Sequence, residues 1–238
     1  MRSPESLPGL VVLTGAGISQ ESGLATFRDA GGVWLTEGIE NVATPAAFRR
    51  NPARVHAFYN ARRAQLAAVA PNAAHRALAE LERAWVARGG DFLLVTQNID
   101  DLHARAGSER VLQMHGALRR GRCLACREVL PVAGDIGVDT ACPRCGKVGG
   151  MRPDIVWFGE MPLHMPAIMA ALDACGLFVS IGTSGVVYPA AGFIAEVAGR
   201  ARTVELNLEP SAGTPLFDEA RHGPATEVVP AFVAELLA

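Results

Sequence analysis

The sequence of 238 residues has little excess charge, no long apolar run and few cysteines. Its 22 basic and 24 acidic residues leave a formal net charge of −2, which gives no electrostatic reason to expect nucleic acid or an anionic membrane as a main partner. No apolar run reaches the roughly 18 residues of a membrane span, and residues 1–9 lack the basic stretch and apolar core of a signal peptide. We therefore expect a soluble, cytoplasmic protein that binds neither nucleic acid nor membranes. We also predict that it is a monomer.

The five cysteines are too few for a disulfide scaffold in a chain of this length. Four of them form two C-x-x-C pairs, Cys123 with Cys126 and Cys142 with Cys145, and the 15 residues 127–141 separate the pairs. Two such turns can direct four sulfurs at one point about 2.3 Å away, which is the tetrahedral geometry of Zn²⁺. Because protein ligands fill all four positions, we predict one structural zinc ion rather than two redox dithiols.

Short apolar segments alternate with helical patterns along most of the chain. Segments that end in small or polar residues predict strands at Leu10–Leu13, Phe92–Val95, Leu177–Ile181 and Thr203–Asn207. Apolar periodicity predicts helices at Pro52–Val69, Ala73–Arg88, Pro166–Ala174, Ala190–Arg200 and Pro230–Leu237. This alternation predicts an α/β fold with a doubly wound parallel sheet, whose ligand site lies at the carboxyl ends of the strands.

Two stretches interrupt the alternation. Residues 118–152 hold the cysteine pairs and show little apolar periodicity, so we expect a small module around the metal. Residues 37–70 have a helical pattern but contain Pro45 and Pro52, which indicates a second, helical insert.

A glycine-rich segment follows the first predicted strand. Gly15 and Gly17 can bring backbone N–H groups close to a phosphate at the start of a helix. The full G-x-G-x-x-G pattern fails because position 20 is Gln, and no acidic residue ends a second strand about 20 positions later. The segment therefore counts against a nicotinamide dehydrogenase, which holds its cofactor with that pattern and returns it intact.

A longer set of motifs runs through the chain in order. Residues 15–23 read Gly-Ala-Gly-Ile-Ser-Gln-Glu-Ser-Gly, and residues 26–29 read Thr-Phe-Arg-Asp. Further motifs are Thr-Gln-Asn-Ile-Asp at 96–100, His-Gly at 115–116, Val-Trp-Phe-Gly-Glu at 156–160, Gly-Thr-Ser at 182–184 and Asn-Leu-Glu at 207–209. With the cysteine pairs between His115 and Phe158, this set resembles the sirtuin family from residue 10 to about residue 232.

The resemblance implies an enzyme that consumes NAD to remove an acyl group from a protein lysine. The expected products are nicotinamide, 2′-O-acyl-ADP-ribose and free lysine. His115 matches the general base of the family, and an ordinary imidazole pKa of about 6.5 suits proton removal at neutral pH.

The motifs also imply the binding residues. The implied NAD contacts are Gly15, Ala16, Gly17, Ile18, Ser19, Glu21, Ser22, Thr26, Phe27, Arg28, Trp34, Gln97, Asn98, Ile99, Asp100, Gly182, Thr183, Ser184, Asn207, Leu208, Glu209 and Ala225. Val156, Phe158, Gly159 and Val186 match the two segments between which an acylated peptide pairs as a middle strand.

The resemblance also implies that residues 1–238 form one catalytic domain. Within it we assign residues 1–36, 88–117 and 153–238 to a Rossmann-like NAD-binding part. Residues 37–87 form the helical insert with the acyl pocket, and residues 118–152 form the zinc-ribbon module.

Tyr59 and Arg62 indicate which acyl group the enzyme removes. They are three residues apart on a predicted helix and match the Tyr-x-x-Arg signature of sirtuins that remove succinyl and malonyl groups. A guanidinium and a phenol hydroxyl can together bind the distal carboxylate of such a group. The pair would otherwise be a core aromatic and a solvated arginine, but Ala25-Thr26 also resembles the acidic-acyl subgroup. We predict succinyl or malonyl preference with some deacetylation.

Three other functions are alternatives to this prediction. The chain could be a deacetylase without preference for acidic acyl groups, or an NAD-dependent mono-ADP-ribosyltransferase. A nucleotide-sensing module without activity is the third alternative, and it would leave His115, Tyr59 and Arg62 without a role.

Overall fold

The computed structural model describes residues 7–26 and 38–238 of the chain. Its strands are β1 (Gly9–Thr14), β2 (Phe92–Thr96), β3 (Val111–Gln113), β4 (Gly116–Cys123), β5 (Val129–Pro131), β6 (Met151–Ile155), β7 (Cys175–Ile181), β8 (Arg202–Asn207) and β9 (Glu219–His222). The α-helices in the described ranges are α1 (Gly17–Gln20), α2 (Ile39–Val42), α3 (Pro45–Arg50), α4 (Pro52–Ala67), α5 (Ala73–Ala87), α6 (Leu102–Ala106), α7 (Met165–Ala174), α8 (Phe193–Val197) and α9 (Ala225–Leu237). None of these helices is long and apolar enough to cross a membrane.

Six strands form one parallel sheet in the order β3-β2-β1-β7-β8-β9. Side chains alternate between its two faces. Leu10 and Val12 of β1 join a core cluster with α5 and α9, whereas Val11 and Leu13 join a second cluster with α7 and α8. Helices therefore cover both faces, and the predicted doubly wound α/β fold is confirmed.

Helices α2, α3 and α4 build a third apolar cluster together with Leu118, Ile155 and Trp157. None of its described members belongs to a strand of the large sheet, and the three helices fall within the range predicted as a helical insert. The predicted helical insert extends to residue 87 and so includes α5. In the structure, however, α5 contributes Leu78, Leu81 and Trp85 to the core cluster of the large sheet.

The segment with the cysteines forms a three-stranded antiparallel sheet in the order β5-β4-β6. Its small core contains Cys123, Ile136, Cys142 and Met151. A module this small buries few apolar side chains, so a metal crosslink would supply stability that the core lacks.

Several element boundaries differ from the sequence prediction. The last helix begins at Ala225 rather than Pro230, because the backbone N–H and hydroxyl of Thr226 donate to the Glu21 carboxylate and stabilise an earlier start. The helix predicted at 190–200 is a 3₁₀ turn over Ala190–Gly192 followed by the short α8, which ends before Gly199 at φ +76°.

Candidate active site and metal centre

A cavity of about 1340 Å³ opens at the carboxyl edge of the large sheet. The predicted site residues that line it are Gly15, Ala16, Gly17, Glu21, Thr26, Tyr59, Gln97, Asn98, Ile99, His115, Val156, Phe158, Gly159, Gly182, Thr183, Ser184, Asn207, Leu208, Glu209 and Ala225. Those outside the lining are Ile18, Ser19, Ser22, Arg62, Asp100 and Val186, and Phe27, Arg28 and Trp34 lie outside the described residues. The structure thus gathers most of the predicted set around one cavity.

Other residues line the cavity without having been predicted. Trp157 belongs to the motif at 156–160, which was the available signal for it. Val187 and Tyr188 follow the predicted Val186, and residues 210–212 follow directly on the motif at 207–209.

The glycine loop is packed against the end of β7. A Cβ atom at Gly15 would lie 2.6 Å from the Gly182 carbonyl oxygen, and one at Gly17 would lie 2.8 Å from the Gly182 Cα. The Gly17 N–H donates to the Gly182 carbonyl at 2.9 Å, and Gly182 itself has φ +62°. Only glycine fits where these two backbone segments touch. Without side chains the backbone stays open to the cavity, so the phosphates of a dinucleotide can approach it.

A buried polar network lies behind the loop. The Asn98 side-chain amide donates to the Gly15 carbonyl at 3.0 Å and to Ser19 Oγ at 3.2 Å, and Ser19 Oγ donates to Asp100 Oδ2 at 3.0 Å. Asp100 also accepts the Leu102 N–H at the start of α6, and its burial raises the pKa of the carboxyl group. The network fixes the glycine loop against the end of β2.

Two buried histidines extend this network. His103 Nε2 lies 3.0 Å from Thr14 Oγ1, and His75 Nε2 lies 3.4 Å from Ser19 Oγ. Their rings are 4.8 Å apart between centroids. Burial lowers the pKa of His75 to about 4 and holds the pKa of His103 well below its usual range, so both rings are neutral at pH 7.

His115 lies in the turn between β3 and β4 and lines the cavity. Its Nδ1 is 3.0 Å from the Gln97 carbonyl oxygen, which assigns the ring proton to Nδ1 and leaves the Nε2 lone pair available. Burial lowers the pKa of His115, although the bond to Gln97 acts in the opposite direction. Gly116 must follow, because a Cβ there would lie 2.0 Å from the Asp154 carbonyl oxygen. The ring is therefore held as a neutral base.

Tyr59 and Arg62 lie on α4 as expected. Tyr59 is buried and its hydroxyl accepts a hydrogen bond of 2.9 Å from Trp157 Nε1. The Arg62 guanidinium donates to Gln65 Oε1 at 3.0 Å, and its carbon lies 5.1 Å from the centre of the Phe58 ring. The phenol therefore lies at the cavity wall, and the guanidinium lies further along the same helix.

Exposed apolar side chains flank the cavity mouth on two segments. Phe158 is 41 % exposed on one segment, and Val186 is 47 % and Tyr188 is 77 % exposed on the other. Apolar side chains of this size in a pair of loops are typical of a surface that binds another chain.

The four paired cysteines converge on one point. Their sulfurs all lie within 4.8 Å of one another, and the Cys123–Cys145 and Cys126–Cys142 sulfur distances are both 3.8 Å. A tetrahedron with zinc–sulfur bonds of about 2.3 Å has sulfurs about 3.8 Å apart, so this set fits a structural Zn²⁺. Backbone N–H groups of Cys126 and Ala125 help to lower the pKa of the Cys123 thiol to about 6, which favours the thiolate that binds metal.

Comparison with known proteins agrees with this geometry. Residues 15–189 match the model of the Sir2 family. A protein of Caulobacter vibrioides named "NAD-dependent protein deacylase" is 58 % identical over 95 % of this chain and 96 % of its own length. A Sir2 homologue mutant solved with ADP-ribose superposes with a TM-score of 0.88 at 38 % identity, covering 95 % of this chain and 91 % of its own. A Sir2 homologue solved with NAD gives 0.85 at 38 % identity, covering 96 % and 90 %.

The fold, the cavity with its glycine loop, and the four-cysteine centre all agree with these matches, which cover nearly the whole chain. The chain therefore belongs to the Sir2 family, the NAD-dependent protein deacylases known as sirtuins.

Proposed function

We propose that this enzyme removes succinyl and malonyl groups, and more slowly acetyl groups, from lysine side chains of proteins. The observation that carries the proposal is the common cavity, whose lining includes both His115 and Tyr59. His115 Nδ1 is hydrogen-bonded to the Gln97 carbonyl and the Tyr59 hydroxyl accepts from Trp157, so one acyl-lysine bound in this cavity would meet a base and a phenol that are both held in place. The enzyme acts in the cytoplasm, where the reducing conditions suit two C-x-x-C pairs that bind zinc. Its monomeric state and lack of a nucleic-acid partner stay predictions.

NAD supplies the reactive bond, between nicotinamide and ribose, and the ribose carbon that receives the acyl oxygen. The loop of Gly15 and Gly17 would bind the phosphates, and Asn98 at the end of β2 would position the nicotinamide ribose. Asn207 and Glu209 at the end of β8 would bind the hydroxyls of the adenosine ribose. Each of these residues lines the cavity at a strand end.

His115 would remove the proton of a ribose hydroxyl through Nε2. The bond from Nδ1 to the Gln97 carbonyl orients the ring and stabilises the positive charge that forms when Nε2 takes the proton. Because burial lowers the pKa of His115 below its ordinary value, the neutral imidazole predominates at pH 7 and can accept that proton.

The acylated peptide would bind between the segments of Phe158 and Val186 as an added strand. The flanking apolar side chains at the cavity mouth support this mode. Strand addition uses backbone hydrogen bonds, so we expect wide tolerance of peptide sequence.

The first experiment measures nicotinamide release from NAD with matched peptides that carry succinyl-lysine, malonyl-lysine, acetyl-lysine or unmodified lysine. We expect a higher kcat/KM for the acidic acyl groups and no stimulation by unmodified lysine. Mass spectrometry should find 2′-O-acyl-ADP-ribose. An ADP-ribosylated protein as the main product would contradict deacylation, and a higher kcat/KM for acetyl-lysine would contradict the acidic preference.

Arg62→Met tests the acyl assignment directly. Losing a charge-assisted partner of the distal carboxylate removes about 2.7 kcal/mol, so kcat/KM for succinyl-lysine should fall about 100-fold while that for acetyl-lysine falls far less. Arg54→Met, an exposed arginine of the same helix, is the matched control. Equal losses with both peptides would show that Arg62 supports the fold rather than the acyl group.

A further inference from the structure

The hydroxyl of Tyr59 is constrained by the indole of Trp157. Both side chains are 2 % exposed, and the indole N–H donates to the phenol oxygen at 2.9 Å. An indole nitrogen can only donate, so the direction of this hydrogen bond is fixed. No described residue accepts a hydrogen bond from the Tyr59 hydroxyl in return.

This arrangement limits where the phenol proton can lie. The O–H of a phenol stays in the plane of its ring, with one position on either side of the C–O bond. The indole N–H occupies the lone pair on one side, which leaves the proton for the other side. Burial raises the pKa of Tyr59, so the proton is present throughout the physiological pH range.

Arg152 holds the indole in place. Its guanidinium carbon lies 3.4 Å above the centre of the Trp157 ring, a stacked cation–π contact. The guanidinium also donates to both carboxylate oxygens of Glu160, at 2.7 and 2.9 Å, and to the Ile155 carbonyl at 2.7 Å. Glu160 in turn accepts the Trp157 backbone N–H at 2.9 Å, so the ring and backbone of Trp157 are fixed by the same pair.

We propose that Trp157 is a positioning residue for acyl specificity: it orients the Tyr59 hydroxyl proton toward the distal carboxylate of a bound acidic acyl group, with Arg152 holding the indole. The inference rests on the proposed preference for succinyl and malonyl groups. It adds a residue that never touches the acyl carboxylate and acts through the phenol.

Trp157→Phe removes the indole N–H and keeps an aromatic ring. The Tyr59 hydroxyl can then rotate between its two positions, and we expect the ratio of kcat/KM for succinyl-lysine to that for acetyl-lysine to fall about 10-fold, which corresponds to about 1.4 kcal/mol. In a Tyr59→Phe background, which has no hydroxyl to orient, Trp157→Phe should leave the ratio unchanged. Trp85→Phe is the matched control, because Trp85 Nε1 also donates a hydrogen bond, a partly buried one to the Pro8 carbonyl at 3.0 Å, away from the cavity.

Thermal unfolding and zinc content report whether Trp157→Phe is folded. If it is not, Trp157 is replaced by 3-benzothienylalanine, which keeps the bicyclic shape and lacks the N–H, and the same fall in the ratio is expected. An unchanged ratio in an enzyme that prefers succinyl-lysine, or the same fall with and without the Tyr59 hydroxyl, would overturn the role of Trp157 and leave the proposed function intact. A wild-type enzyme without activity on succinyl-lysine would overturn the proposed function, and this inference with it.

Discussion

Acid should destabilise the protein through His75. This residue lies at the third position of α5, where Asn72 and His75 cap each other's backbone N–H groups, and it is fully buried. Burial lowers its pKa to about 4 from the ordinary value of 6.5. Below pH 6.5 the unfolded chain therefore binds a proton that the folded chain does not accept until about pH 4, and stability is lost as the pH falls through this window.

The magnitude follows from the width of the window. Each pH unit between the two pKa values costs about 1.36 kcal/mol, so acidification from pH 7 to pH 5 should lower the free energy of unfolding by about 2 kcal/mol through His75. His103 acts with the same sign, because burial also lowers its pKa. Protonation of the zinc-binding thiolates adds to the loss in acid, so wild-type data cannot isolate His75.

A variant at position 75 separates the contribution of His75 from those of His103 and the thiolates. His75→Gln removes the titrating group and keeps a side chain that suits the third position of a capped helix. Urea unfolding at pH 7 and pH 5 should show the wild type losing about 2 kcal/mol more than the variant between the two pH values. His164→Gln, at an exposed histidine, should match the wild type. Equal pH dependence in wild type and His75→Gln would refute the assignment of a neutral, buried imidazole.

Two further predictions concern the catalytic base and the metal. His115→Tyr should give a folded, zinc-loaded and inactive protein, and retained NAD-dependent deacylation in this variant would contradict the role of His115 as the base. The rate of the wild-type enzyme should fall in acid with a midpoint below pH 6.5, because burial lowers the pKa of the base. A pH–rate profile measures this midpoint. Cys126→Ser should release zinc and unfold the cysteine module, measured by metal analysis and by proteolysis within residues 118–152, and full zinc occupancy would contradict the four-thiolate centre.

The interior of the large sheet was predictable from the sequence, but its edges were not. The segments at 10–13, 92–95 and 177–181 are largely apolar because both faces of a central parallel strand are buried. The segment at 203–207 is also mostly buried, although it alternates Val204 and Leu206 with polar residues. The edge strands β3 and β9 have three and four residues and are only partly buried, so they have no apolar run to recognise.

The site was predictable where a motif fixes backbone geometry. Gly15, Gly17 and Gly116 occur in motifs because a Cβ atom would collide with neighbouring backbone. The pairing of Trp157 with Tyr59 joins residues 98 positions apart and leaves no local pattern. The same holds for His75 and His103, whose burial beside each other depends on the packing of α5 against α6.

Strand β4 links the two halves of the molecule. It begins at Gly116, directly after His115, and ends seven residues later at Cys123, a distance of about 24 Å along a fully extended chain. A metal that far away cannot polarise a substrate, yet it anchors the far end of the strand that carries the base. Loss of zinc would therefore impair this enzyme by releasing the end of a strand that begins beside the base, and not by removing a group that acts on the substrate.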